Sequence, residues 1–420
     1  MSSSSFIFNI ANKGLRLETA NDVQKLFSDS KIEELKELVL TSNTFGIDAS
    51  KALGGLLSRM KNLKATGLSA IFASRPVDEV LIALPSVFSP LLSLDSLIEL
   101  NFSDNAVGAQ VYRVLVPLLS QLSNLQIIKL VNNGFGPEAG KAIAEAIQQL
   151  ASKRRESGRP SALRVLLCAR NRLEDGSASA WGEAIAAHPN LQKVKMSNNG
   201  FREDGIKAIA KGLAKCSDLR YLNLRDSTSR NEDNEDDPEE SRGSWLLADA
   251  IRNAKRLEYL DLSDCYLTDV GSLEIVNALG ENPYPELHSL LLQGNDMNEG
   301  HYEKLLTVIQ DTLPKLKVLV LADNDDLEDN EAIDALKEFL EDPTRKGQLI
   351  TDDQDVDALI KSEDAKDETT ETRFVGDVPI EVPPVKKEED ELDELAKLMG
   401  AKLKIENQVC LFHFLLKAGY

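Results

Sequence analysis

The sequence predicts an α/β solenoid with a parallel inner sheet and outer helices, and three observations carry that prediction. A ladder L-x-x-L-x-[LC]-x-x-N recurs, clearest in LRVLLCARN, where Leu163, Leu166, Cys168 and Asn171 hold its places. Its first leucine returns at Leu35, Leu63, Leu97, Leu125, Leu163, Leu191, Leu219, Leu257, Leu287 and Leu316, at intervals of 28 to 38 residues. An amphipathic stretch follows the ladder, as in PEAGKAIAEAIQQL. That interval accommodates one strand and one full helix per unit, the period of leucine-rich repeats.

The elements follow in order. Residues 1–30 read as an N-terminal cap, with Leu15 and Leu17 sketching an incomplete ladder that shields the first full repeat from water. Within each ladder, leucines at alternate positions face one side of a short strand. The closing asparagine turns the chain and its side-chain amide satisfies backbone groups. Asn43, Asn105, Asn133, Asn171, Asn199, Asn295 and Asn324 hold that place, and Ser227 and Cys265 replace it in two repeats. The helix comes next, and Pro137 suits a first helical turn. No single unit can bury its leucines, so stacked neighbours bury them jointly in a ribonuclease-inhibitor-like crescent.

Three intervals are long, and their excess predicts surface loops: SAIFASRPVDEV, ASKRRESGRPS and DSTSRNEDNEDDPEESRG. The run Lys153–Arg155 lies in the second and reads as a solvated loop rather than a nuclear-localisation signal. EAIDALKEFL, Glu331–Leu340, reads as the capping helix, which sets the repeat domain at 1–342 and an acidic, disordered tail at 343–420. In the tail, Leu392, Leu395, Leu398 and Met399 outline a short amphipathic helix that is marginal in water. The end, 407–420, is abruptly apolar, and its spacing offers no physical account.

Net charge is −21, which argues against binding nucleic acid or an anionic membrane surface. The acidity is localised. Residues 322–400 hold 27 acids against 9 bases, and the loop 226–242 holds 8 against 2, so the rest of the solenoid is close to neutral. Four cysteines in 420 residues make no disulfide framework. Cys168 and Cys265 sit on ladder positions, which implies buried thiols in a reducing, intracellular setting. The start MSSSSFIFNIANKG lacks the pattern of a signal peptide, and no apolar run nears the roughly 20 residues that span a bilayer.

Autonomous chemistry has no motif here. G-x-x-x-x-G-K-[ST], H-E-x-x-H and G-x-S-x-G are all missing. His188, His288, His301 and His413 fall in different repeats or the tail and read as ordinary surface or rim residues. A repeat solenoid without a catalytic constellation is more naturally a binding surface. The residue just before each ladder asparagine locates it. That column reads Ser42, Asp104, Asn132, Arg170, Asn198, Asp226, Asp264, Gly294, Asp323. Members of adjacent rungs lie roughly 5 Å apart. Arg170 is its one cation, Arg172 follows the asparagine, and Asn132 is one rung away. The loop bearing Arg75 leaves the sheet from the same edge about two rungs, or roughly 10 Å, from Asn132. Arg75, Asn132, Arg170 and Arg172 can therefore share one rim. Taken singly, Arg170 also reads as a partner of Asp104 or Asp226, Asn132 as a second turn amide, and Arg75 as a loop charge.

Three segments, LVNNGFGPEAG (Leu130–Gly140), CARNRLEDGS (Cys168–Ser177) and VKMSNNGFREDGI (Val194–Ile206), carry a family resemblance. The arginines on both sides of Asn171 are its most specific element. The chain resembles RanGAP, the fungal-type GTPase-activating proteins of the nuclear-transport GTPase Ran, over roughly 6–342. The resemblance implies an activator rather than an enzyme with its own active site. It implies binding to Ran in its GTP form and faster hydrolysis there, without an arginine finger, by positioning Ran's own catalytic glutamine. It assigns the catalytic contact to Asn132 and Arg75, and partner contacts to Arg170, Arg172 and Asp78. The family loop often reads G-R-[VK]-[KD], whereas here Ser74 and Pro76 flank Arg75. It further implies no cofactor on this chain, GTP and Mg on the GTPase only, a Ran-binding protein as an optional third component, a monomer, and a cytoplasmic location that extends to the nuclear envelope. The alternative is a non-catalytic scaffold or inhibitor. Such inhibitors rely on aromatic anchors and many cysteines, and this chain has few of either.

Overall fold

The computed structural model describes residues 6–28, 30–228, 242–352 and 356. Its main element is a parallel sheet of twelve strands, each joined to the next in sequence along the stack. Near the N-terminus it holds β1 (Ile7–Asn9), β3 (Glu37–Val39), β5 (Ala65–Gly67) and β6 (Glu99–Asn101). The centre holds β7 (Ile127–Lys129), β8 (Val165–Leu167), β9 (Lys193–Lys195) and β10 (Tyr221–Asn223). The far end holds β11 (Tyr259–Asp261), β12 (Ser289–Leu291), β13 (Val318–Val320) and β14 (Gln348–Ile350). A separate pair, β2 (Arg16–Leu17) and β4 (Thr44–Phe45), braces the N-terminal end.

Each strand of the twelve-stranded sheet is three residues long because the ladder offers a single core-facing residue between two that face the open side. Leu100, Ile128, Leu166 and Val194 pair in one line across β6 to β9 and are fully buried. Their neighbours, such as Lys129, Lys193 and Tyr221, lie on the opposite face. The ten first ladder leucines are all buried, none more than 3% exposed. Helices then close the core, among them α1 (Ala20–Leu26), α2 (Ile47–Leu57), α3 (Val77–Leu91), α4 (Tyr112–Leu119), α5 (Gly136–Glu156) and α6 (Glu174–Ala187), in one continuous apolar cluster.

The ladder asparagines join the rungs as expected. Asn171 Nδ2 donates to Leu130 O on the preceding rung at 2.8 Å and to Ala169 O at 2.9 Å. Its Oδ1 accepts from the amides of Asn133 at 2.8 Å and Gly134 at 3.1 Å. Asn133, Asn199 and Asn295 make the same kind of bridge, and Cys265 Sγ takes the place by approaching Leu224 O at 3.4 Å. Cys168, Cys216 and Cys265 are buried free thiols.

Several expectations are corrected. The first rung is Ile7–Asn9, paired with β3, and not the Leu15–Leu17 segment, whose strand pairs with β4 instead. The sheet also runs past residue 342. Gln348–Ile350 adds a strand to β13, while Ile350 and Val356 are buried in a small apolar cluster on the sheet's open face. An end rung needs only backbone pairing and a little apolar cover, so neither end shows the full ladder.

Lys153–Arg155 forms the last turn of α5, where basic residues suit the helix dipole. Arg154 is buried, donating to Pro160 O at 2.6 Å and Asn124 Oδ1 at 2.8 Å. Two histidines are also interior: His188 is 1% and His301 3% exposed. Most of the acidic loop 226–242, the tail from 357, its leucine-rich stretch and the apolar end 407–420 lie outside the described residues.

Candidate rim site

The column picked out by sequence is a row of left-handed turns. All nine of its members have φ between 52° and 62°. Ala70, at 53°, is a tenth, missed because Ile71 replaces the ladder asparagine. The backbone itself sets the row: Asp104 N, Asn132 N, Arg170 N and Asn198 N each donate to a carbonyl of the next rung at 2.9 Å. Aspartate, asparagine and glycine accept this geometry readily, whereas arginine does not. A second left-handed column follows the asparagine, with Gly134 at 69°, Arg172 at 57° and Gly200 at 68°. Arg172 thus stands where both flanking repeats use glycine.

Side-chain pairing in the first column runs away from Arg170 on both sides. Asn132 Nδ2 donates to Asp104 Oδ1 at 2.9 Å, and Ser69 Oγ donates to Asp104 Oδ2 at 3.2 Å. On the other side, Asn198 Nδ2 donates to Asp226 Oδ2 at 2.9 Å. The order across five rungs is therefore Asp, Asn, Arg, Asn, Asp, with each asparagine tied to the outer carboxylate. Arg170 has neutral amides as neighbours, and the nearest carboxylates of its column are two rungs, or about 10 Å, away. Arg170 and Arg172 are exposed, and among the described residues neither makes a side-chain hydrogen bond or ion pair. Pairing of Arg170 with Asp104 or Asp226 is thereby replaced by two Asn–Asp pairs. Asn132 is half-buried, with its amide orientation set by Asp104.

Arg75 is placed differently from expectation. Its loop leaves the edge beyond β5, two rungs from β7, as the register required. The guanidinium, however, is folded onto its own chain, with the side chain 3% exposed. Nη1 donates to Glu18 Oε2 at 2.8 Å and Glu79 Oε1 at 2.7 Å, Nη2 to Glu18 Oε1 at 3.1 Å, and Nε to Thr44 Oγ1 at 2.9 Å. Arg75, followed by Arg16, holds the Glu18 carboxyl down at about 2. Gly46 makes room for this latch, since a Cβ there would meet Glu18 Oε2 at 2.4 Å. Ser74 sits at φ 64°, a conformation that glycine adopts without steric cost. Arg75 therefore ties the N-terminal cap to α3 and presents no guanidinium to a partner in this conformation. Asp78, in the first turn of α3, is exposed.

The open face of the sheet holds polar groups that sequence reasoning passed over. The Lys129 side chain is 2% exposed and lies 3.3 Å from Glu99. Burial pushes the Asp261 carboxyl up, while Asn223 Nδ2 and Ser263 N donate to it at 2.8 and 3.0 Å. Lys193 lies 3.9 Å from the Tyr221 ring centre, and Tyr221 stacks on Tyr259 at 4.3 Å. The available signal was the polar or aromatic residue at alternate strand positions, in ELN, IIK, KVK, YLN and YLD.

These features define a class: a leucine-rich-repeat protein whose edge offers an ordered polar row with exposed cations at its centre. The Leucine Rich Repeat family model matches residues 256–279. Ran GTPase-activating protein 1 of Saccharomyces cerevisiae is 31% identical over 346 residues, which is 80% of this chain and 82% of the yeast protein. The Drosophila melanogaster Ran GTPase-activating protein is 29% identical, covering 76% of this chain and 57% of its own length. Ran GTPase-activating protein 1 of Xenopus laevis is 36% identical over 193 residues, 45% of this chain and 33% of its own length. The chain thus spans most of the yeast relative and less than two thirds of the other two. It belongs to the Ran GTPase-activating protein family.

Proposed function

We propose that this chain activates the GTPase Ran, binding its GTP form along the rim and accelerating hydrolysis at Ran's own site. The observation that carries the reading is Arg170 and Arg172 beside Asn132, exposed and without a side-chain partner among the described residues. Holding two arginines in left-handed turns costs about 1–2 kcal/mol each, and no side-chain hydrogen bond or ion pair among the described residues offsets it. A protein partner with acidic groups does. Asn132 has its Nδ2 committed to Asp104, which leaves Oδ1 as an acceptor for Ran's catalytic glutamine. The glutamine then orients the attacking water. GTP and Mg belong to Ran, and the chain supplies position and electrostatics rather than a finger. Arg75 serves by holding the loop that carries Asp78. We place this monomer in the cytoplasm and at the nuclear envelope, where a Ran-binding protein can join the complex.

The test is single-turnover GTP hydrolysis on Ran. The chain should accelerate it by orders of magnitude. Asn132→Gly, which suits the left-handed turn, should lower the maximal rate at unchanged thermal stability. Arg170→Ala and Arg172→Ala should instead raise the concentration that gives half the effect. Glu18→Ala with Glu79→Ala, which opens the latch, should weaken activation, and so should Arg75→Ala. Flat hydrolysis traces with wild-type protein would defeat the reading, and retained binding beside them would leave a scaffold. A normal maximal rate in Asn132→Gly would remove the glutamine-positioning step.

A further inference from the structure

We infer that Asp104 is a positioning residue that acts through Asn132, an inference that rests on the proposed function. An asparagine side chain on a rim can rotate about χ1 and can exchange the places of its amide oxygen and nitrogen, so which atom meets a partner is undetermined by the backbone alone. Here the choice is made by one carboxylate. Asp104 is acceptor-only when ionised, so it takes Nδ2 of Asn132 and refuses Oδ1. The 2.9 Å bond therefore fixes both the rotamer and the sense of the amide. Asp104 is itself held: its backbone N–H donates to Val131 O at 2.9 Å, and Ser69 Oγ fixes its second oxygen at 3.2 Å. Both residues occupy left-handed turns, at 58° and 55°, so the two Cα atoms face each other across one strand spacing. The result is a chain of three side chains on three successive rungs, Ser69 to Asp104 to Asn132, that ends on the acceptor offered to the partner.

The arrangement is built in rather than incidental. Asn198 and Asp226 repeat the pair in mirror order beyond Arg170. A purely turn-forming role does not require it, since Gly294 fills the same column with no side chain. Asp104 touches the nucleotide site of the GTPase in no step, and its contribution is the geometry of Asn132.

The experiment is a double-mutant cycle on the full chain, read as maximal single-turnover hydrolysis rate and half-saturating concentration with Ran–GTP. Asp104→Gly keeps the left-handed turn and removes the carboxylate. It should lower the maximal rate roughly tenfold to a hundredfold, the scale of a small misplacement, with the half-saturating concentration unchanged. Asp104→Asn keeps the shape but offers a donor beside its acceptor oxygen, so it no longer selects the sense of the Asn132 amide and should recover only part of the rate. In the Asn132→Gly background, Asp104→Gly should have no further effect. A loss that multiplies in that background, or one confined to the half-saturating concentration, overturns the inference, as does a wild-type rate in Asp104→Gly. If Asn132→Gly is itself wild-type in rate, the glutamine-positioning mechanism fails first. If only Asp104→Gly is wild-type, that mechanism stands and this inference alone falls.

Discussion

At the scale of single residues, the rim separates what the fold needs from what a partner needs. Arg172 illustrates it. The turn at this position is met by glycine in both neighbouring repeats, and replacing Arg172 by glycine relieves a backbone conformation worth about 1–2 kcal/mol. Arg172→Gly should therefore raise the thermal midpoint while weakening Ran activation, two changes of opposite sign in one variant. Calorimetry beside the hydrolysis assay checks it, and a variant that is less stable would remove the strain argument. Arginines at 170 and 172 were visible in the sequence because they break a repeating column. That Arg170 has no side-chain partner among the described residues was not visible, because it depends on which way Asn132 and Asn198 turn their amides. Arg75 shows the reverse case. Its rung and edge followed from register, but the inward fold of its guanidinium depends on Glu18 and Thr44, which lie 57 and 31 residues away.

At the scale of elements, the joins between helices and strands carry their own ionisable groups. His188 closes α6 and is almost fully buried. Its Nε2 donates to Ile147 O of α5 at 2.9 Å, and its Nδ1 accepts from Ser161 Oγ. Burial lowers its pKa from 6.5 to about 4. The sign follows directly: the neutral ring is the folded form, so stability is full above pH 6.5 and is lost as pH falls toward 4. Across that window the loss approaches about 3 kcal/mol. Thermal midpoints measured from pH 7 to 4 should fall, and His188→Gln should flatten the part of the slope owed to this group. An equal slope in the variant would assign the loss elsewhere. The sequence placed this histidine at a surface because a lone histidine carries no periodic signal, and the helix C-terminus that buries it is set by packing. Pro137 and the leucine ladder, by contrast, act locally and were legible.

At the scale of the molecule, one sheet with open ends must be finished at both. The ladder pattern found ten rungs, and the stack holds twelve strands among the described residues because its terminal strands pair through the backbone without the full leucine ladder. β14 makes this testable. A chain ending at 342 lacks the partner of Val318–Val320 and the cover given by Ile350 and Val356, which are 6% and 1% exposed. Burying two such side chains contributes about 3–5 kcal/mol, so that truncation should unfold several degrees below the full chain. A chain ending after 356 should keep more of the full-length midpoint, and equal midpoints for both truncations would show that β14 is dispensable. The boundary was hidden because QLI holds none of the repeat's asparagines and only part of its leucine spacing.

The row of left-handed turns has a consequence for how such an edge can change. Its geometry is made by main-chain bonds and by asparagines set one place further along, so the turns themselves do not depend on the column's own side chains. Each rung contributes one such position, at a spacing of about 4.8 Å. The edge works like a row of movable type in a fixed frame. Letters can be exchanged one at a time, within the small alphabet a left-handed turn tolerates, and a new message for a different surface can be set without recasting the frame.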